Sequence, residues 1–213
     1  MTEDFFITDN PAELFERSDA VIDFTVPEAT THHAEIAAQF SVPLIIGTTG
    51  LSEDQEKIIK QAADKTLIVY AANMSIGVNM ILALVKQAGE RLGPEWDIEI
   101  FETHHHHKID SPSGTALALG KAAQAGRGSG DFVTDRTGKR NQGDIGYAVQ
   151  RGGDIVGEHT VTFFGQGERI EIGHKATNRD LFAKGALHAT QWALEKSKAG
   201  SRGLYSMQDV LGL

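Results

Sequence analysis

Three short apolar runs punctuate the first third of the chain: Ala20–Phe24 (AVIDF), Val42–Ile46 (VPLII) and Leu67–Ala71 (LIVYA). Strands that are apolar throughout, rather than alternating, belong to parallel sheets covered on both faces. Helical patterns separate them. Asn10–Arg17 has Asn10 as N-cap and Pro11 at the first helical position, Glu28–Phe40 follows the break at Val26-Pro27, and Ser52 with Gln55 forms a capping box. Alternating strands and helices predict a doubly wound α/β unit.

The rhythm changes after Asn73. A helix is expected over Val78–Leu92, stopped by Gly93-Pro94, and then a strand whose polar and apolar residues alternate over Asp97–Glu102. Another helix is predicted from about Thr115 to Gln124, followed by a mobile polar region from Gly126 to about Asp144. Three further strands follow, Ile145–Arg151, His159–Phe164 and Arg169–Lys175, separated by glycine turns. A final helix is expected over Arg179–Lys196, and the apolar residues of Gly203–Leu213 should dock onto the fold. No internal repeat is evident.

Composition narrows the function classes. The 213 residues carry a net charge of −9, with Lys and Arg scattered, which argues against a nucleic-acid or acidic-membrane partner. There are no cysteines, so disulfides and thiolate metal sites are excluded, and a reducing cytoplasm is expected. Met1–Asp4 has neither the basic nor the apolar region of a signal peptide, and no apolar run reaches membrane-spanning length.

The densest chemistry lies in Phe101–Ala116 (FETHHHHKIDSPSGTA). Imidazoles able to move protons, a fixed cation and the amides of a helix start coincide there, as an anionic substrate that must be protonated would require. If the segment is extended, His104, His106 and Lys108 share one face, and His105 and His107 the other. A lysine among the histidines opposes a bound cation, and no third ligand follows at a zinc-enzyme spacing, so no metal is expected. His107 is equally well structural. Ser111-Pro112 reads as a capped helix start, but Gly114 in a first turn costs about 0.5–1 kcal/mol relative to alanine, which points to close approach of a ligand to the Gly114 and Thr115 amides.

Gly47-Thr48-Thr49-Gly50 and Ala71-Ala72-Asn73-Met74 each follow a predicted parallel strand, where open α/β sheets place their ligand crevice. Arg179 reads as a surface ion-pair residue, His159 and His174 as satisfied sheet residues, and Trp96 and Trp192 as core.

Taken together, these residues resemble the 4-hydroxy-tetrahydrodipicolinate reductase (dihydrodipicolinate reductase) family. The resemblance spans the chain: AVIDFTVPEAT (20–30), GTTGL (47–51), AANMSIGVN (71–79), RGGDIVGEHTV (151–161), GHKATNRDLFAKGAL (173–187) and the specific signature E-x-H-H-x-H-K-x-D-x-P-S-G-T at 102–115. It implies an α/β fold, with a partial Rossmann-type parallel sheet over 1–75 and 179–213. An α+β substrate and oligomerisation domain with a mixed four-stranded sheet is implied over 76–178. It also implies reduction of a cyclic dicarboxylate by NADPH or NADH in the diaminopimelate route to lysine, in a cytoplasmic homotetramer. By the same resemblance His104 is the catalytic acid/base and Lys108 the second proton donor, while His105, Ser113, Gly114 and Thr115 hold substrate carboxylates. Gly47, Thr48, Thr49, Ala71, Ala72, Asn73 and Met74 line the nicotinamide cofactor. His106 stands where arginine is familiar in the family.

The family begins with a strand, a G-x-x-G-x-M-G phosphate loop, a helix and a second strand. Only some 19 residues precede the first strand here, too few for a unit of about 30. The expectation is therefore an N-terminally incomplete dinucleotide unit with an exposed sheet edge. The alternative to the reductase is a catalytically impaired dicarboxylate-binding or oligomerisation fragment of it.

Overall fold

The computed structural model describes residues 6–213; Met1–Asp4, on which the expectation about a signal segment rests, lie outside the described residues. The chain divides into two compact units, Met1–Met74 with Phe182–Gly212, and Ser75–Leu181. No helix among the described residues is long and apolar enough to cross a membrane.

In the first unit α1 (Pro11–Glu16) is capped by the Asn10 side chain, which accepts from Ala12 N–H. Then follow β1 (Val21–Asp23), α2 (Pro27–Phe40), β2 (Leu44–Ile46), α3 (Glu53–Ala63) and β3 (Leu67–Tyr70). The capping box of Ser52 and Gln55 is formed at the start of α3. The strands pair in parallel in the order β1-β2-β3-β9, with β9 (Gly203–Tyr205) added by the C-terminal segment. Three residues with glycine at the first are too short for periodicity to reveal, so the sequence showed only that this end is apolar. One side of the sheet packs on Phe15, Ala34, Ala37 and Ile59. The other packs on Met74, on Ala186, Ala189 and Ala193 of α6 (Asp180–Lys198), and on Met207 and Val210 of α7 (Met207–Leu211).

The second unit contains α4 (Ile76–Arg91), β4 (Asp97–His104), α5 (Gly114–Arg127), β5 (Phe132–Val133), β6 (Ile145–Arg151), β7 (Gly157–Phe164) and β8 (Arg169–Ala176). Its mixed sheet has five strands rather than the expected four, in the order β5-β6-β4-β7-β8. The additional strand is the two-residue β5, parallel to β6 at the edge, inside the stretch expected to be mobile. That stretch is instead tied to β4: Arg140 reaches Asp97 at 2.6 Å and Glu99 at 3.2 Å, and Arg136 pairs with Glu99 and with Asp144. The carboxylates on the outer face of the alternating strand are what hold it.

On the other face, Ile98 and Ile100 of β4, Ile145 and Tyr147 of β6, and Val161 and Phe163 of β7 pack against α4 and α5. Those helices touch closely. A Cβ on Gly126 would lie 2.1 Å from the Lys86 carbonyl oxygen, and one on Gly89 2.8 Å from that of Ala123. Replacing Gly126 by alanine therefore forces two backbones apart, and Gly126→Ala is expected to lower stability by about 1–3 kcal/mol. Thermal unfolding checks this; an unchanged midpoint would show that the contact is not close.

Candidate functional site

Strand register builds the centre of the site. Glu102 of β4 lies opposite His159 of β7 in the antiparallel pair and opposite Val149 of β6 in the parallel one, while His104 lies opposite Arg151. Side chains two apart share a face. Glu102 and His104 therefore continue the apolar row Ile98–Ile100, and His159 continues Phe163–Val161. The covered face passes from hydrocarbon into a polar cluster at the end of β4. Glu102, Thr103, His104, Ser113 and His159 are all buried.

The Glu102 carboxylate, 1 % exposed, is the hub. Its Oε1 accepts from Ser113 N–H at 2.8 Å and from Arg151 Nη2 at 3.0 Å. Its Oε2 lies 2.5 Å from His104 Nδ1, in ion-pair contact though off the line of a well-aligned hydrogen bond, and 3.9 Å from His159 Nε2. Ser113 has a second task as N-cap of α5, its Oγ accepting from Ala116 N–H at 3.2 Å, and the same Oγ is 3.1 Å from His159 Nε2. The His104 and His159 rings meet edge-on, 5.0 Å apart. Gly157 makes room for both: a Cβ there would lie 2.9 Å from His104 Nε2 and 3.6 Å from His159 Cε1.

The segment after His104 is not extended. His105 N–H donates to the Ile155 carbonyl at 2.7 Å, Lys108 N–H to that of His105 at 3.2 Å, and the His106 ring nitrogen Nδ1 lies 2.9 Å from Gly153 O. These bonds turn the chain back, so the shared face expected for His104, His106 and Lys108 does not form. His106 packs instead on His107, ring centroids 3.9 Å apart, on the outside of the turn. Lys108 pairs with Asp110 at 2.8 Å, and the Asp110 carboxylate also accepts from Gly114 N–H. A carboxylate thus already sits where a cation meets the start of α5, the chemistry read from the sequence. Apart from its chain neighbours and its own helix backbone, nothing lies within 4 Å of where a Gly114 Cβ would be, so that side of the first turn is open. Thr115 is half-buried in the same first turn. Through Ser111 and Pro112 the turn borders a cavity of about 570 Å³, also lined by Thr134, Arg136, Tyr147 and Val149.

Burial is the largest influence on each titratable group of the hub. For Glu102 it raises the pKa, but the Ser113 and Arg151 hydrogen bonds and the neighbouring His104 outweigh it and hold the carboxyl below its ordinary range. For His104 burial lowers the pKa; Lys108 and Arg151 act in the same direction and Glu102 opposes them, leaving it below 6.5. Burial, with His104 beside it, pushes His159 down to about 4.

Three of these residues were not singled out by sequence reasoning. Glu102 is the first residue of the signature, and its two-residue offset from His104 on a strand was the available signal. His159 was read as a satisfied sheet residue, yet its Nε2 faces Ser113 and Glu102 while Nδ1 has no partner. Arg151 carried no local signal. Glu102, His104 and His159 also place ligand-type atoms within 4.8 Å of one another, a grouping that spacing along the chain did not reveal. With Arg151 bonded to Glu102 and Lys108 acting on His104, the surrounding charge suits an anion better than a metal cation.

In the first unit, Gly47–Thr49 and Ala71–Met74 follow β2 and β3 at the carboxyl edge of the sheet. Asp23, at the end of β1, organises this edge. Its Oδ1 accepts from Thr25 N–H at 2.9 Å, Thr25 Oγ1 at 2.6 Å and Thr48 Oγ1 at 3.2 Å, and its Oδ2 is 2.9 Å from His33 Nδ1. The Thr48 side chain is buried in that network, and Met74 is core, so neither presents its side chain to a ligand. Thr49 and Ala72 are exposed, and Phe24, 51 % exposed, lies so close over Gly47 that a Cβ there would be 2.2 Å from its ring.

Two family models match the chain: dihydrodipicolinate reductase, N-terminus, over residues 1–74, and dihydrodipicolinate reductase, C-terminus, over 77–211. The 4-hydroxy-tetrahydrodipicolinate reductase of Dinoroseobacter shibae is 49 % identical, over 97 % of this chain and 78 % of its own length. That of Parvibaculum lavamentivorans is 51 % identical, over 94 % and 74 %. Among solved structures, the dipicolinate-bound dihydrodipicolinate reductase of Paenisporosarcina sp. TG-14 superposes with a TM-score of 0.72 at 24 % identity, covering 91 % of this chain and 73 % of that one. A probable dehydrogenase of Thermotoga maritima shares the fold at a TM-score of 0.56 and 12 % identity, covering 95 % and 77 %.

The depressed pKa values set a pH dependence. A buried imidazole kept neutral binds a proton more weakly folded than unfolded, so its stabilisation is complete above about 6.5 and lost as pH falls. With His159 lowered to about 4, the loss runs from about 6.5 down to about 4, and the lowered Glu102 adds to it below the ordinary carboxylate range. The thermal midpoint is expected to fall across that window, and His159→Gln to flatten the slope. An unaltered slope in the variant would contradict the burial of a neutral His159.

Proposed function

The chain belongs to the dihydrodipicolinate reductase family, and on that premise we propose that it reduces 4-hydroxy-tetrahydrodipicolinate to tetrahydrodipicolinate with NADPH or NADH. The product is that of the diaminopimelate route to lysine. The observation that carries the reading is the hub itself: a buried imidazole, His104, beside the amides of the α5 start, where Lys108 and Gly114 N–H already hold a carboxylate, that of Asp110.

A reduced nicotinamide, when bound, supplies the hydride. Small residues at the carboxyl edge of the first unit fit that group: side-chain-free Gly47 under the half-exposed Phe24 ring, Thr49, and Ala71 and Ala72 with Asn73. Thr48 and Met74 would contribute backbone. The chain's own work concerns charge and the proton. Lys108, Ser113, Gly114, Thr115 and His105 bind the two carboxylates; a carboxylate that reaches Lys108 and the Gly114 amide takes those donors from Asp110. The hydroxyl by which substrate and product differ leaves as water with a proton from the neighbouring ring carbon, which forms a conjugated ring double bond. Hydride addition to that bond leaves an electron pair on the ring, and His104 protonates it, with Lys108 as the second donor.

Assembly into a homotetramer belongs to the same proposal. It is supported by Phe101 and Phe164, which are 47 % and 40 % exposed on strands of the mixed sheet. A cytoplasmic location fits the cysteine-free composition.

The test follows nicotinamide absorbance with NADPH or NADH and freshly made substrate. Turnover is expected, with His104→Gln and Lys108→Ala each lowering it by about 10²–10⁴-fold in a folded protein. Near-normal turnover in both variants would remove these roles. Dicarboxylate binding without any turnover would favour the non-catalytic fragment.

A further inference from the structure

We infer that Glu102 is a positioning residue for proton delivery: it holds the His104 imidazole through Nδ1, so that Nε2 is the nitrogen that gives its proton to the substrate. The inference rests on the reductase reading above and adds to it a residue with no contact to the reacting atoms.

The charged and titratable groups facing His104 are Glu102 from its own strand, Lys108 from the turn, Arg151 from β6 and His159 from β7. Glu102 is the only anion among these four. Lys108, Arg151 and burial all disfavour the imidazolium that a proton donor must become, and the carboxylate opposes all three. Glu102 is also the best fixed of the four. Its Oε1 is taken by Ser113 N–H and Arg151, leaving Oε2 at Nδ1. On the far side of the ring Nε2 has room only because residue 157 lacks a side chain. Ser113 N–H belongs to the N-cap of the helix start that binds the carboxylate, so one carboxylate sets the imidazole and the carboxylate cradle in register.

The step balances simply. The Nε2–H bond breaks, and the proton joins the ring atom that carries the electron pair left by hydride addition. His104 is left neutral with its remaining proton on Nδ1, facing Glu102. Glu102 takes no proton and keeps its charge throughout; solvent recharges the imidazole.

Glu102→Gln tests this in the whole 213-residue chain. Glutamine keeps a carbonyl oxygen for Ser113 N–H but loses the charge, and its amide donates to Nδ1, favouring the opposite tautomer. Nuclear magnetic resonance of the labelled His104 ring, without cofactor or substrate, gives the tautomer and titration midpoint. The unsubstituted protein is expected to show the Nδ1–H tautomer. In Glu102→Gln the midpoint should fall by about one pH unit or more and the tautomer should invert. In parallel kcat should fall by about 10²-fold with KM nearly unchanged, its pH profile moving with the midpoint. Glu102→Asp, which keeps the charge, should recover most of the midpoint. An Nε2–H tautomer in the unsubstituted protein overturns the inference whether or not the variant folds. So does an unmoved midpoint in a folded Glu102→Gln. If the ring behaves as expected but the unsubstituted chain oxidises no nicotinamide, the reductase reading fails while the hold of Glu102 on the imidazole stands.

Discussion

A carboxylate with 1 % exposure is expensive to keep charged, and Glu102 stays charged because donors from two elements and the imidazole beside them converge on it. Ser113 N–H brings the start of α5, Arg151 brings β6, and His104 contributes from β4 itself. Removing any one leaves the charge under-compensated, so the elements are bound to a common geometry. That constraint makes a site out of a strand end, a helix start and a turn. The far end of α5 is constrained separately, where Gly126 and Gly89 let it lie against α4.

The covered face of the mixed sheet explains why the hub can exist. Isoleucines at 98, 100 and 145, with Val161 and Phe163, fill it at one end, and the same strands, at the same two-residue period, supply Glu102, His104, Arg151 and His159 at the other. The hydrocarbon end fixes the strands; the polar end inherits their precision. Histidines on a free loop would have no such register. The turn after His104 is held by carbonyls of residues 153 and 155 rather than by strand register, and it carries Lys108, Asp110 and the exposed His106 and His107.

Much of this was legible in the sequence, for identifiable reasons. The parallel strands announce themselves as apolar runs, and the Ser52 capping box and Asn10 cap lie where their side chains predict. His104 and Gly114 were visible as an imidazole beside a helix start, but the cap is Ser113 rather than the expected Ser111, which lies with Pro112 before the helix. What escaped depends on partners distant in the chain. Glu102 meets His159 only through antiparallel register 57 positions away, and Arg151 reaches Glu102 across a parallel pair. The supposed single face of His104, His106 and Lys108 failed because carbonyls of Gly153 and Ile155 draw the chain into a turn, which periodicity cannot register. β5 and β9 are too short to have a period. The polar stretch after Gly126 looked unstructured because Arg136 and Arg140 find carboxylates on β4, Glu99 and Asp97, far away in sequence.

On the proposed function, residues 104–115 bind a carboxylate beside a proton-donating imidazole. The decisive experiment is a titration of the isotopically labelled chain with pyridine-2,6-dicarboxylate. Saturable shifts of the Ser113, Gly114 and Thr115 amides and of the His104 ring are expected, all following one binding curve. Saturable binding that leaves those four groups unmoved would contradict it.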